Sequence, residues 1–159
     1  MGGQEGNRGY LYQGIVAIFN SCLENDWDYI SVEYTTAHEK VDIALMDEEH
    51  KIKKAIQVKS SVNLFTKDHI ITWLKDLIED ARAQYYCLTI IGNCNEAANK
   101  FIKATNKYYE SKMDKESYVS IKGYEKILEE NHINITLLPF NEDNLLGVVR
   151  DSINRFISL

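Results

Sequence analysis

Two short apolar runs constrain this chain more than any other feature. Val41-Asp42-Ile43-Ala44-Leu45-Met46 and Ala55-Ile56-Gln57-Val58-Lys59 are separated by the charged turn Asp47-Glu48-Glu49-His50-Lys51. Short apolar runs bounded by turn residues read as strands, and this pair reads as an antiparallel hairpin. Side chains alternate faces along a strand, so Gln57 and Lys59 share one face while Ile56 and Val58 point into a core. Asp42 points away from the face shared by Val41 and Ile43. A carboxylate, an amide and an ammonium are therefore expected together on an otherwise apolar sheet. Burying such groups is costly unless they are bonded or hold something, which marks the place to look for chemistry. The competing reading is an ordinary surface ion pair between a hairpin acid and a lysine, worth about 0–1 kcal/mol.

The flanking sequence sets the fold class. Residues 1–9 contain four glycines and read as a flexible lead-in. The spacing predicts a helix over 9–24, with Leu11, Ile15, Ile18 and Cys22 as its inner stripe, Phe19 and Leu23 widening it, and Gln13, Ala17, Asn20 and Glu24 opposite. Residues 29–35 alternate as a first strand, with Glu33 facing opposite to Val32. Thr66 is expected to cap a helix over 67–83 whose inner face is Ile70, Leu74, Leu77 and Ala81. Residues 85–91 read as a buried strand ended by Gly92, so strand, helix and strand make a right-handed parallel crossover. Helices over 95–109 and 118–130, a strand over 133–138 and a last helix capped by Asn141 complete the chain. Leu145, Val149, Ile153, Phe156 and Ile157 are the expected core positions of that last helix. The expectation is an α/β fold: a mixed sheet with flanking helices in a single domain of 159 residues, with a core over 9–92 and an α/β extension over 93–159.

Composition narrows the function classes. Apolar residues make up 45% and charged residues 26%, a globular balance that argues against disorder. No apolar run approaches the ~18 residues of a membrane span, and no leader is apparent, so a cytoplasmic protein without membrane attachment is expected. Cys22, Cys87 and Cys94 have no metal-type spacing and read as reduced thiols. His38, His50, His69 and His132 show no ligand spacing either. The net charge of −6 argues against a nucleic-acid coat protein, yet the charge is uneven. Lys100, Lys103 and Lys107 recur at helical spacing and form one basic stripe, which suits phosphate contact or a solvated helix face equally. Ser60 and Lys67, after Lys59, are the other expected phosphate contacts.

The order helix, three-strand meander, crossover helix and strand, with Asp42 followed after fourteen residues by Gln57-Val58-Lys59, resembles the restriction-endonuclease-like PD-(D/E)xK nucleases. Gln57 stands where the commoner pattern has an acid, a Q-x-K variant. More narrowly, Gly9-Tyr10-Leu11-Tyr12-Gln13, Val32-Glu33, Asp42 and Gln57-Val58-Lys59-Ser60 are similar to the double-stranded DNA endonuclease domain of bacterial antiphage effectors, including those of CBASS systems. The resemblance covers residues 9–92. It implies a Mg²⁺-dependent deoxyribonuclease acting on double-stranded DNA in prokaryotic antiviral defence, with Mn²⁺ as a substitute metal. Asp42, Gln57, Lys59 and Glu33 are then the expected catalytic residues. Asp42, the Gln57 side-chain oxygen and the Val58 carbonyl are the expected metal ligands, with Gln13 and Glu24 in support. Such effectors carry a sensor as a fused domain or a separate regulator chain, and 159 residues hold the nuclease alone. A homo-oligomer is expected, since one site cuts one strand. The alternative is a catalytically inactive DNA- or partner-binding subunit of the same fold.

Overall fold

Everything in the sheet is built outward from β3 (Ile52–Ser60), which pairs antiparallel with β2 (Ile43–Met46) on one side and parallel with β4 (Tyr85–Ile91) on the other. The computed structural model describes residues 3–23, 26–110, 113–138 and 142–158. β1 (Tyr29–Val32) adds antiparallel to β2, and β5 (His132–Leu138) adds parallel to β4. The five strands stand in the order β1-β2-β3-β4-β5. The fold is therefore α/β, with a mixed sheet and six helices among the described residues.

The two faces bury different sets of side chains. Ala44, Ala55, Leu88, Ile90, Ile133 and Ile135 meet α2 (Lys67–Asp80) and α3 (Glu96–Lys107) on one face. Ile43, Ile56 and Cys87 meet α1 (Gly3–Leu23) and α6 (Glu142–Ile157) on the other. Fully burying a side chain of this size contributes about 1.5–3 kcal/mol relative to leaving it exposed, so this alternation fixes the register. Thr66 caps α2 through its hydroxyl to the His69 amide, and Ile70, Leu74, Leu77 and Ala81 are all buried, as the spacing predicts. The far edge is closed by side chains. Asn106 of α3 donates to the Ile135 carbonyl at 2.8 Å and accepts its N–H at 2.9 Å, and the Tyr109 hydroxyl accepts the Ile133 N–H. Two side chains thus stand in for a sixth strand, which blunts the pairing tendency of an edge.

Five expectations are corrected. Helix α1 begins at Gly3 rather than near residue 9, since a glycine costs roughly 1 kcal/mol in a helix without ending it. Its buried face is Tyr12, Ile15, Val16, Ala17 and Asn20, whereas Leu11, Ile18 and Leu23 of the expected stripe are exposed. Apolar residues surround this helix, so periodicity selects no face and the packing against Ile43, Ile56 and α6 decides. β1 stops at Val32 because Glu33 adopts φ 55°, outside strand geometry. The helix expected over 118–130 is two, α4 (Lys115–Ile121) and α5 (Glu125–Glu130), separated at Gly123 with φ 88°. In α6, Leu145 and Val149 are buried, but Ile157 is 75% exposed rather than core. The Asn141 cap, the Phe156 side chain and Glu24 lie outside the described residues.

Candidate functional site

Asp42 sits just before β2, where β2 and β3 part. Its N–H donates to the Ile56 carbonyl at 2.9 Å, and its carbonyl accepts the Glu33 N–H at 2.6 Å, so the backbone is held from both neighbouring strands. The last paired position of the hairpin is Ile43 opposite Ile56. Asp42, one residue outside that pair, bonds to the same Ile56, so the strand alternation breaks here: Val41 packs in the α2 cluster and Ile43 in the α1 cluster, rather than sharing one face as expected. The Asp42 carboxylate accepts the Val58 N–H at 2.6 Å on Oδ2 and the Gln13 side-chain amide of α1 at 3.0 Å on Oδ1. Bonds from a backbone N–H to a carboxylate are short and strong, so the carboxylate is aimed before anything else binds.

The Val58 carbonyl follows from the same geometry. In a strand, the N–H and C=O of one residue point to the same side. The Val58 N–H reaches Asp42, so its C=O faces the same edge, beyond the end of β2. Gln57 is 98% buried, being only 2% exposed, and its Oε1 has no hydrogen-bond partner among the described residues. An orphaned acceptor in the interior costs about 1–3 kcal/mol and needs a reason to persist. The Gln13 Oε1 is a second buried acceptor without a partner.

Charge completes the picture. Burial pushes the Asp42 carboxyl above its ordinary range, and the Glu33 charge adds to the rise. The Val58 N–H, the Lys59 ammonium and the Gln13 amide oppose it. Burial pulls the Lys59 ammonium below its ordinary range, with Lys40 adding to the fall and with Asp42 and Asp76 opposing it. Acid and amine are both drawn toward neutrality by burial while each favours the charge of the other, the arrangement that active sites use to poise proton transfer.

A cleft of about 390 Å³ opens beside Asp42, lined by Gln13, Glu33, Tyr34, Thr35, Glu39 and Val41. Its far wall is the 33–40 loop, in which Glu33 and Glu39 take φ 55° and 54°. Left-handed backbone at non-glycine residues costs on the order of 1 kcal/mol or more and survives only where the surroundings impose it. At Glu39 the surroundings are Asp80, at the end of α2, which pins the chain on both sides of it. The Asp80 carboxylate accepts the Thr36 hydroxyl, the His38 N–H at 2.9 Å and the Lys40 N–H at 2.7 Å.

Of the residues singled out in the sequence, Gln13, Glu33, Asp42, Val58 and Lys59 are linked directly by bonds or by charge, whereas Gln57 is joined to them only through its chain neighbour Val58, its side chain making no bond to the others. Ser60 is exposed at the end of β3. The other expected phosphate contacts lie elsewhere and are engaged. Lys67 donates to the Ser120 carbonyl at 2.8 Å and lies over the rings of Phe101 and Tyr124. Lys100 pairs with Glu96 and Glu116, and Lys107 with Asp114. Lys103 is exposed beside them in a separate hollow of about 220 Å³. Sequence reasoning passed over Glu39, the loop-holding Asp80 and Trp73, whose ring lies under the Lys59 ammonium. An acid at the end of a helix, as at Asp80, carries no local signal of the loop it will hold.

Compared with family profiles, with characterised proteins and with solved structures, the chain matches none of them. The site must speak through its own chemistry. The oxygens it offers are the Asp42 carboxylate and the Val58 carbonyl, with the orphaned Gln57 Oε1 on the neighbouring residue. That set suits a hard divalent cation of the Mg²⁺ type, which binds through one or two carboxylates and keeps several waters. No group of three or more His, Cys, Asp or Glu side chains that could hold a metal ion occurs among the described residues, so a cation here would rest on a single carboxylate. Both Asp42 oxygens already accept one hydrogen bond, leaving one lone pair on each.

Proposed function

We propose that the chain is a divalent-cation-dependent deoxyribonuclease of the restriction-endonuclease-like kind, with a Q-x-K site, cutting double-stranded DNA in prokaryotic antiviral defence. The observation that carries this reading is the bond from the Val58 N–H to the Asp42 carboxylate. It ties the acid of one strand to the Gln57-Val58-Lys59 segment of the next, with Lys59 in the field of Asp42. The antiviral role rests on the resemblance of motif order alone.

Phosphodiester hydrolysis needs an activated water and a home for charge developing on the phosphate. Asp42, Gln57 and the Val58 carbonyl would hold the cation, and Mg²⁺ bound there supplies Lewis-acid stabilisation of that charge. Lys59, with its ammonium destabilised by burial, orients the attacking water or takes its proton and offsets charge on the scissile phosphate. Gln13 keeps the Asp42 carboxylate turned toward β3. Glu33 faces the same cleft and supplies a second negative charge near the metal side. One site cuts one strand, so a duplex break requires two copies facing opposite strands. On α6, Leu146 and Ile157 are exposed and could join two copies, while Leu145 is buried.

A second reading has its own support: Gln57 brings no charge to the site, and two lysines of the basic stripe are neutralised by acids. On that reading the fold holds DNA or a partner protein without cutting. Plasmid cleavage with Mg²⁺, with Mn²⁺ and with EDTA, using the parent and Lys59→Ala across a dilution series, separates the two. Metal-dependent cleavage lost in Lys59→Ala supports the nuclease. DNA binding without cleavage under any metal supports the binding subunit.

A further inference from the structure

The Lys59 ammonium is half-buried, yet no carboxylate lies within ion-pair distance and no hydrogen bond reaches it among the described residues. Its nearest support is aromatic: the Nζ lies 5.6 Å from the centroid of the Trp73 ring. We propose that Trp73 is the positioning residue for Lys59, its indole face holding the ammonium toward Asp42 and leaving its N–H groups free for substrate oxygens. For the role of Lys59 in cleavage, the inference rests on the nuclease reading; the aromatic support itself does not.

Three features make Trp73 a fixed support. Phe65 meets the Trp73 ring edge-on at 5.3 Å and 82°, and His69 stacks on it at 5.5 Å and 20°. Phe65 is itself anchored, since its N–H donates to the Asn93 carbonyl and its carbonyl accepts the Asn95 N–H, both at 2.9 Å. His69 is held through the Thr66 cap, where its Nδ1 accepts the Thr66 N–H. The indole therefore has little freedom to turn. A cation over such a ring gains about 0.5–2 kcal/mol without losing its hydrogen-bonding capacity, unlike one locked in a salt bridge.

The neighbouring charges show why an aromatic support suits this position. Asp76, one turn along α2 from Trp73, is the acid that would otherwise capture Lys59. It pairs with Lys40 at 3.9 Å instead. Lys59 thus faces Asp42 from the strand side, Lys40 and Asp76 from the helix side, and the indole beneath, with His69 beyond the ring. A salt bridge to Asp76 would draw the ammonium away from Asp42 and occupy its donors. The indole does neither.

The test combines a spectroscopic signature with kinetics. In the parent protein, the Lys59 side-chain protons nearest the nitrogen should resonate upfield of the other lysines, because they lie over an indole face, and should show contacts to Trp73 ring protons. Trp73→Leu, which keeps an apolar wall without a π face, should lose the upfield shift and lower kcat about tenfold, with KM for DNA changed by less than about twofold. Trp73→Phe, which restores a ring face, should recover most of the rate. Solvent-like Lys59 shifts in the parent overturn the proposal without any variant, as does a Trp73→Leu protein that cuts like the parent. If the parent shows the upfield shift but cuts no DNA, the aromatic support stands and the nuclease reading falls.

Discussion

Replacing Asp42 in two different ways separates its charge from its hydrogen bonds. In the parent, Oδ2 accepts the Val58 N–H at 2.6 Å and Oδ1 accepts the Gln13 amide at 3.0 Å. Asp42→Ala removes both acceptors and leaves the Val58 N–H without a partner where β2 has ended. An unsatisfied donor in such a place costs about 1–3 kcal/mol, against which relief of the carboxylate's own desolvation is a partial offset. Asp42→Asn keeps an oxygen for the Val58 N–H. Its new NH₂ then faces Gln13, whose Oε1 now has no partner, and turning the Gln13 amide over makes the missing bond. The asparagine variant is therefore expected within about 1 kcal/mol of the parent and the alanine variant about 1–3 kcal/mol below it. Both should lose cleavage, since neither carries the charge. Urea unfolding of the three proteins, read as midpoints at a common slope, measures this directly. Equal losses in the two variants, or an alanine variant as stable as the parent, would refute the bonding scheme. The same series tests the carboxyl's displaced titration. Asp42 is raised by burial, so its ionisation opposes folding. Its favourable contribution is present below the ordinary aspartate value of 3.8 and is lost as pH rises through the higher folded value. The stability of the parent relative to Asp42→Asn should therefore fall as pH climbs through that window.

Gln57→Glu places a second carboxylate at a position 98% buried; without metal it should unfold at lower urea than the parent, recover with added Mg²⁺, and reach half-maximal activity at a lower Mg²⁺ concentration. An unchanged Mg²⁺ dependence of both readouts would remove Gln57 as a ligand. Asp80 is held below the ordinary aspartate range by its three bonds to the 36–40 loop, burial opposing them, so its contribution is present above 3.8 and lost as pH falls through its lower folded value. Amide exchange at His38 and Lys40 should accelerate in Asp80→Ala at neutral pH, and exchange no faster than the parent's would exclude the strap. Asn106→Ala strips the Ile135 N–H and C=O of their partners, and should cost about 1–3 kcal/mol in unfolding while raising the association seen by light scattering.

Where the sequence contrasts apolar and polar faces sharply, it is legible. The α2 stripe, the Thr66 cap, the β4 run and the antiparallel hairpin of β2 and β3 all follow from residue pattern and turn chemistry. Contrast is missing in α1, where Leu11 and Val16 look alike to a periodicity argument although only Val16 is buried. The end of β1 is set by Glu33, whose left-handed conformation no glycine announces in the sequence. In the site, Asp42, Gln57 and Lys59 are legible because polar residues interrupt apolar strands. The Val58 N–H bond to Asp42 is not, since a backbone group has no signature in sequence. Trp73 lies one residue before the buried Leu74 in the inner stripe of α2, where an aromatic reads as packing until the lysine over it is seen.

The sequential order of the strands has a consequence for timing. Every strand is added beside the one made just before it, so a chain leaving the ribosome can build the sheet from β1 onward without opening it again. Asp42, Gln57 and Lys59 all emerge before α2 begins. At that moment β3 is still an outer strand, Trp73 has not been made, and Phe65 has no Asn93 or Asn95 to hold it. Synthesis at about 5–20 residues per second puts roughly a few seconds between Lys59 and the end of β4. A nascent chain thus carries its acid, amide and amine before it carries Trp73 and the Asn93 and Asn95 contacts that hold Phe65.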